Sequence, residues 1–435
     1  MNRFFLMLVM VMSFATAISP VTAAGAPVTL QDAYESALKN YESAKIAEEG
    51  VVQADSRVDQ AWSSVYPTIT ASSSYTRYNE SLPKGSDTSV YQPLDSFSAS
   101  ATLKQPLYTG GRTMAALRIA KSQAEGSRHD QARVKQEVLL AVSKAYYGVL
   151  SSLKHVEISR ASLGRMERHR TVTEREASTR RTKANASSLL RADTLVSQAR
   201  IALVRSEESL ASARKQLTLL TGLPEDAETV EPQPAALPGD DGKVLEDTAL
   251  QNRDDYAGIR LSREQAKDYV TVVEGAHYPQ ISAEGSISFL NSSPQTILDG
   301  TIYYGALKIS VPLFEGGLMK AESAEARSKE RQAELSEVLL RRTIVNEVHD
   351  AHLHLQTVLA VLDTAGRQLE YARGNFDAVE GLFAEGLVSS LSLIDAEQAL
   401  SLAENDFVNA TYDREIAILS LQKTLGVLGK QETSR

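Results

Sequence analysis

The chain has 435 residues, 43% of them hydrophobic and 23% charged, with a formal net charge of −9. That length and composition are ample for a folded core, while the acidic balance argues against a nucleic-acid partner, which would want a basic surface. With no cysteine, a disulfide framework, a thiol metal site and lipid attachment through an N-terminal cysteine are excluded.

Residues 1–24 read as a secretory signal. Arg3 supplies the positive start, Phe4–Met12 are continuously apolar, and small residues around Thr22–Ala26 offer cleavage sites. The apolar core is too short to span a membrane, and no later segment approaches the roughly 20 apolar residues of a spanning helix. The mature chain is therefore expected to be exported and unable to cross a membrane as a helix.

From Val28 to about Val65 the pattern predicts a helix, with Leu30, Ala33, Tyr34, Ala37 and Leu38 on one face. Two alternating runs follow, Thr68–Glu80 and Ser96–Gln105. In the second, Phe97, Ala99, Ala101 and Leu103 point one way, and Ser98, Ser100, Thr102 and Lys104 the other. The stretch Pro106-Leu107-Tyr108-Thr109-Gly110-Gly111 reads as a strand-to-helix junction. Proline donates no ladder hydrogen bond and can end a strand, and the glycines can take the positive φ of a sharp turn. A helix from Thr113 to about Ser178 should then reach about 100 Å. After a break at Thr182–Ser187, a last helix carries a seam at Leu189, Ala192, Val196, Ala199, Leu203, Ser206, Leu210, Ala213, Leu217 and Leu220, spaced alternately by three and four.

The whole series then repeats. Tyr66-Pro67 returns as Tyr278-Pro279, Pro106 as Pro312, Gly110-Gly111 as Gly316-Gly317, and Gly222 as Gly426, at offsets of 212, 206, 206 and 204. The second seam, Leu393 to Thr424, lies 204 after the first. A period this long is no solenoid. It is a tandem duplication of one domain-sized unit, residues 25–222 and 244–426, joined by an acidic, proline-rich linker over 223–243 and closed by a short tail over 427–435. In the second unit the pattern predicts a helix over Val244–Ala276, strands over Gln280–Leu290 and Thr301–Val311, and a long helix over Leu318–Phe383. The fold class is mainly α, with four strands per chain.

Each strand has the length and two-residue alternation of a tilted membrane strand; a soluble hairpin with one buried face would share them. Four strands cannot close a barrel, and open edges are not tolerated in lipid, so spanning strands require several chains. The same oligomer would align the long helices into a tube. Nothing supports an enzyme. There is no phosphate-cradling Gly-x-x-x-x-Gly-Lys, no Gly-x-Ser-x-Gly elbow and no His-Glu-x-x-His. His349 and His352 share a helix face, but His354 does not, so no metal or cofactor is expected.

In order and duplicated, these features resemble the TolC family of outer-membrane channels, over nearly all of the mature sequence. They are Val28-Thr29-Leu30 opening the first helix, the two Tyr-Pro pairs, the two Pro-Leu-aromatic-x-Gly-Gly junctions, and the late heptad helices ending in Leu-Thr-Gly and Leu-Gly. The resemblance implies a homotrimer with a 12-stranded barrel in outer-membrane lipid and an α-helical tunnel through the periplasm. It implies an exit duct for a tripartite efflux pump or type I secretion system, joined to an inner-membrane pump or ABC exporter by a periplasmic adaptor. Two sites carry over by position. The adaptor-contacting hairpin tips correspond to Gly386, Leu387, Val388 and Ser389, and to Arg181, Thr182 and Lys183; the second tip has Glu385 where the family pattern has Val, and the first departs from the pattern. The aperture corresponds to Asp395, Ser392 and Arg191, with one carboxylate where the family has an acidic pair. The offset of 204 relates Arg191 to Asp395, so the two are expected to pair and hold the entrance shut. The competing reading is a periplasmic coiled-coil adaptor or scaffold without a membrane barrel; a general diffusion porin is excluded by the helical content.

Overall fold

The computed structural model describes residues 27–83, 90–179, 183–235, 237, 239 and 241–430. The signal segment lies outside them, as do Arg181 and Thr182. The elements run α1 Leu30–Asn40, α2 Glu42–Ser63, β1 Thr68–Arg77, β2 Leu82–Pro83, β3 Val90–Gln92, β4 Asp95–Tyr108, α3 Arg112–Thr179 and α4 Lys183–Thr221. The second unit gives α5 Gly242–Asn252, α6 Asp254–Gly275, β5 Gln280–Ser293, β6 Gly300–Ser310, α7 Leu318–Ala384 and α8 Ser390–Thr424.

Some helix ends are set locally and others by packing. Thr29 caps α1 in a reciprocal box: the Asp32 amide donates to its hydroxyl at 3.2 Å and its own amide donates to the Asp32 carboxylate at 2.9 Å. The helix expected over Val28–Val65 is in fact two, because Tyr41 is extended (φ −72, ψ 128). The helix expected over Val244–Ala276 breaks identically at Arg253 (φ −73, ψ 123). No proline or glycine marks either break. What marks them is packing: Asn40 donates to the Thr221 carbonyl at the end of α4, and the Asn252 backbone lies so close to Gly426 that a Cβ there would stand 2.7 Å from its carbonyl oxygen. Asn40 and Asn252 are 212 apart and Gly222 and Gly426 are 204 apart, so both units use the same joint.

The cores repeat at the same offsets. Ala33, Ala37, Val138, Val142 and Leu217 are buried around α1, α3 and α4; Leu245, Ala249, Ile344, Val348 and Leu421 are buried around α5, α7 and α8. All ten seam positions of α8 are buried or half-buried, as are those of α4. The linker is not loose. Val28 and Thr229 form a parallel bridge, and the Tyr146 hydroxyl, its phenol pushed up to about 12 by burial, lies 2.8 Å and 2.6 Å from the Val28 and Val230 carbonyls. Nor are residues 427–430 a free tail, since Leu428 is buried against the first core.

The sheet order is β1-β4-β5-β6, all antiparallel, with β2 and β3 forming a separate small hairpin. Because α2 runs into β1, β4 into α3, α6 into β5 and β6 into α7, the strand order continues as a helix layer α2-α3-α6-α7. Further from the sheet α3 and α7 run on, α4 packs on α3, and α8 packs between α3 and α7, giving the order α4-α3-α8-α7. At 68 and 67 residues, α3 and α7 are each about 100 Å long. The chain is therefore a curved slice: four strands, then four helices abreast, with β1, α2 and α4 on one edge and β6 and α7 on the other.

The two faces of the sheet differ. Thr70, Ser72 and Ser74 stand opposite Thr102, Ser100 and Ser98, with hydroxyl pairs Ser72–Ser100 at 2.9 Å and Ser74–Ser98 at 2.8 Å. The alternate residues form an apolar face on which Ile69, Ile287, Leu307 and Ile309 are each more than half exposed. β1 and β6 have no strand partner on their outer sides among the described residues.

Candidate functional site

The two strand-to-helix junctions have matching turns and different surroundings. Gly110 and Gly111 have φ 65 and 84; Gly316 and Gly317 have φ 62 and 92, a region that a Cβ resists. The prolines part company. Pro106 does not end its strand but lies inside β4 opposite Ser282, where a register shift between Pro106 and Tyr108 absorbs its missing donor. Pro312 lies beyond the end of β6 at Ser310. A Cβ on Gly110 would stand 2.1 Å from the Gly275 carbonyl oxygen at the end of α6, whereas nothing lies within 4 Å of one on Gly316. The first junction is inside the slice; the second is on its open edge.

At the far end, α7 closes in a Schellman turn. The Leu387 amide donates to the Leu382 carbonyl at 2.9 Å and the Gly386 amide to Phe383 at 3.0 Å, with Gly386 at φ 73. Ser389 then caps α8 by accepting from the Ser392 amide at 3.3 Å. Leu387 projects from this turn, 68% exposed, and Val388 is half-buried. Lys183 opens α4 across the first tip.

Asp395 is exposed one turn into α8, and Arg191 is exposed on α4. Neither makes an ion pair among the described residues, and α3 stands between their helices. Within one chain, Arg191 and Asp395 therefore do not meet. The α3–α4 hairpin is instead tied by Arg170, whose Nε donates to Asp193 at 2.6 Å.

The charged cluster that binds α3 to α8 escapes the sequence reading. Arg165 of α3 lies under the Phe376 ring at 5.6 Å, with its Nε 2.5 Å from Glu397 Oε2 and an Nη 3.3 Å from Glu404. Ser162 donates to the other Glu397 oxygen at 2.7 Å. Glu397 is 3% exposed, and burial pushes its carboxyl up against the pull of Arg165 and Ser162. The missed signal was present: Glu397 and Glu404 are one heptad apart, each directly after a seam alanine, Ala396 and Ala403.

A strand quartet with open edges, joined to four long helices, defines a piece of a membrane channel. The model of the outer membrane efflux protein family matches residues 33–223 and 245–427, and the chain belongs to that family. It is 27% identical over 415 residues to the pyoverdine export outer membrane protein OpmQ of Pseudomonas aeruginosa, covering 93% of this chain and 86% of that one. To the outer membrane protein TolC of Vibrio cholerae it is 23% identical over 349 residues, 78% of each. Among solved structures, the Campylobacter jejuni CmeC outer membrane channel superposes with a TM-score of 0.79 at 16% identity, over 92% of this chain and 85% of that one. VceC of Vibrio cholerae gives 0.77 at 19% identity, over 91% and 96%. The chain is thus an outer-membrane exit duct with a large periplasmic portion, a passive channel rather than an enzyme.

Proposed function

We propose that three copies of this chain pool 3 × 4 strands into a closed 12-stranded barrel, an even number suited to a bacterial outer membrane, and align their helices into a periplasmic tunnel. The observation that carries this is the pair of open edges. Among the described residues β1 and β6 each lack a partner on one side, and unpaired strand edges do not persist in lipid. The helices below them expose apolar side chains: Leu335 and Leu339 of α7 at 70% and 67%, Ile46 of α2 at 71%, and Ile201 and Val204 of α4 at 52% and 59%. Joining α7 of one chain to α2 and α4 of the next covers both edges. The serine and threonine face of the sheet then lines the lumen, and the apolar face meets lipid.

In this reading the turn Gly386–Ser389, with Arg181, Thr182 and Lys183 of the other tip, meets a periplasmic adaptor, which couples the duct to an inner-membrane pump or ABC exporter. Asp395, Ser392 and Arg191 surround the closed aperture. The relatives include export, protease-secretion and cation-efflux proteins by name, so tripartite efflux and type I secretion both suit this duct. Chemical cross-linking in isolated outer membranes tests the assembly: the ladder ends at three copies. A ladder that ends at one or two overturns the closure.

A further inference from the structure

The polar face of the sheet is nearly free of charge. Its hydroxyls pair with one another, Thr102 with Ser286 at 3.1 Å continuing the Ser72–Ser100 and Ser74–Ser98 series. The Lys, Arg, Asp and Glu residues of this face within the four strands, as the register places them, are Lys104, Glu284 and Lys308. They are neighbours. Lys104 stands directly opposite Glu284 across β4 and β5, and Lys308 lies one diagonal step away on β6.

The pairing within this group is unequal. One Glu284 oxygen accepts from Lys308 Nζ at 2.7 Å, and the other accepts from the Tyr304 hydroxyl at 2.7 Å. Both oxygens are therefore engaged on the β6 side. Lys104 is exposed and makes no ion pair among the described residues. Its other cross-strand neighbour is Thr68, which supplies no charge. Strand β1 adds none on this face either, because its one charged residue, Arg77, belongs to the opposite face beside Asp95. Each chain thus sets two ammoniums against one carboxylate, close to where β4 turns into α3.

We infer that Lys104, with Lys308, forms an anion-favouring ring at the helix-side mouth of the barrel, so that the duct admits polyvalent anionic solutes there in preference to cations. The inference rests on the three-chain closure proposed above. A threefold axis places three copies of Lys104 at one height, and with three Lys308–Glu284 pairs the ring carries a surplus of three positive charges. A lumen with low-dielectric walls focuses such a field, and rings of basic side chains are how pores favour anions.

Planar-bilayer recording with inorganic tripolyphosphate added on the barrel side tests this. The wild-type channel is blocked, and the block weakens as potassium chloride rises from 0.1 M to 1 M, where the screening length falls from about 10 Å to about 3 Å. Lys104→Glu weakens the block at 0.1 M at least tenfold and moves the reversal potential in a salt gradient toward cations; Lys104→Arg keeps the block. Arg77→Gln, on the outer face, leaves it unchanged. The cross-linked trimer of each variant confirms assembly. Wild-type channels indifferent to tripolyphosphate, or an assembled Lys104→Glu channel blocked as strongly as wild type, overturn the ring while leaving the channel intact. Wild-type protein that forms no conducting channel and no trimer overturns the closure on which the ring depends.

Discussion

Removing Arg165, the cation that faces Glu397 in the α3–α8 cluster, should unlock the far end of the duct. Arg165→Met keeps the apolar stem beside Phe376 but leaves Glu397, 3% exposed, with Ser162 as its remaining donor. Breaking a buried pair in this way costs on the order of 3–5 kcal/mol, because a carboxylate remains out of water without its partner. At about 1.4 kcal/mol per factor of ten, amides of the first turns of α8 that exchange by local opening should lose roughly a hundredfold to a few thousandfold in protection. Hydrogen exchange on peptides spanning 393–404 reads this directly. The loss depends on pH with a definite sign. Burial already raises the Glu397 carboxyl, and Arg165 is the larger of the two groups pulling it down, so the variant raises it further. The penalty is full above that raised value and is relieved as pH falls through it, because the neutral acid is tolerated where the anion is not. Arg165→Met/Glu397→Leu should recover most of the protection at neutral pH, since an apolar replacement of a buried pair is close to neutral. Protection in Arg165→Met within threefold of wild type, or a double variant no better than the single, would show that Arg165 does not hold α8 through Glu397.

Four other substitutions follow from the geometry. Gly110→Ala should abolish folding, since its Cβ meets the Gly275 carbonyl on top of a left-handed strain of about 1–2 kcal/mol; soluble aggregate on expression is the readout. Gly316→Ala carries the same strain and meets nothing within its own chain, so it should fold as a monomer yet assemble poorly, because the duplication sets Ser63 of a neighbouring α2 where Gly275 stands; monomer accumulating in cross-linking checks this. Asp395→Arg should raise single-channel conductance by like-charge repulsion from Arg191, and Arg191→Asp in the same chain should lower it again, each exposed pair contributing about 0–1 kcal/mol.

Much of this architecture is legible in the sequence because duplication doubles every signal. The alternation of Phe97, Ala99, Ala101 and Leu103 and the seam spacing from Leu189 to Leu220 each report one face of an element, which local period alone sets. Features that depend on distant contacts are not legible. Tyr41 and Arg253 break helices because Asn40 and Asn252 dock on the ends of α4 and α8, and no residue at either break advertises it. Pro106 stays inside its strand because a bulge accommodates it, while its twin Pro312, at the open edge, does not share that fate. At the candidate site, the Gly386 turn and the Ser389 cap follow from residue type. The burial of Glu397 does not, since it needs Arg165 from a helix more than two hundred positions earlier.

The closure proposed above joins three sets of four open-edged strands and four abreast helices into one ring. Electron cryomicroscopy of the detergent-extracted protein tests it most directly. Closure of three chains gives a particle with threefold symmetry, a short barrel continuing into a helical tube about 100 Å long, and no gap in its wall. A particle of another symmetry, or an open ribbon with β1 and β6 unpaired, would contradict it.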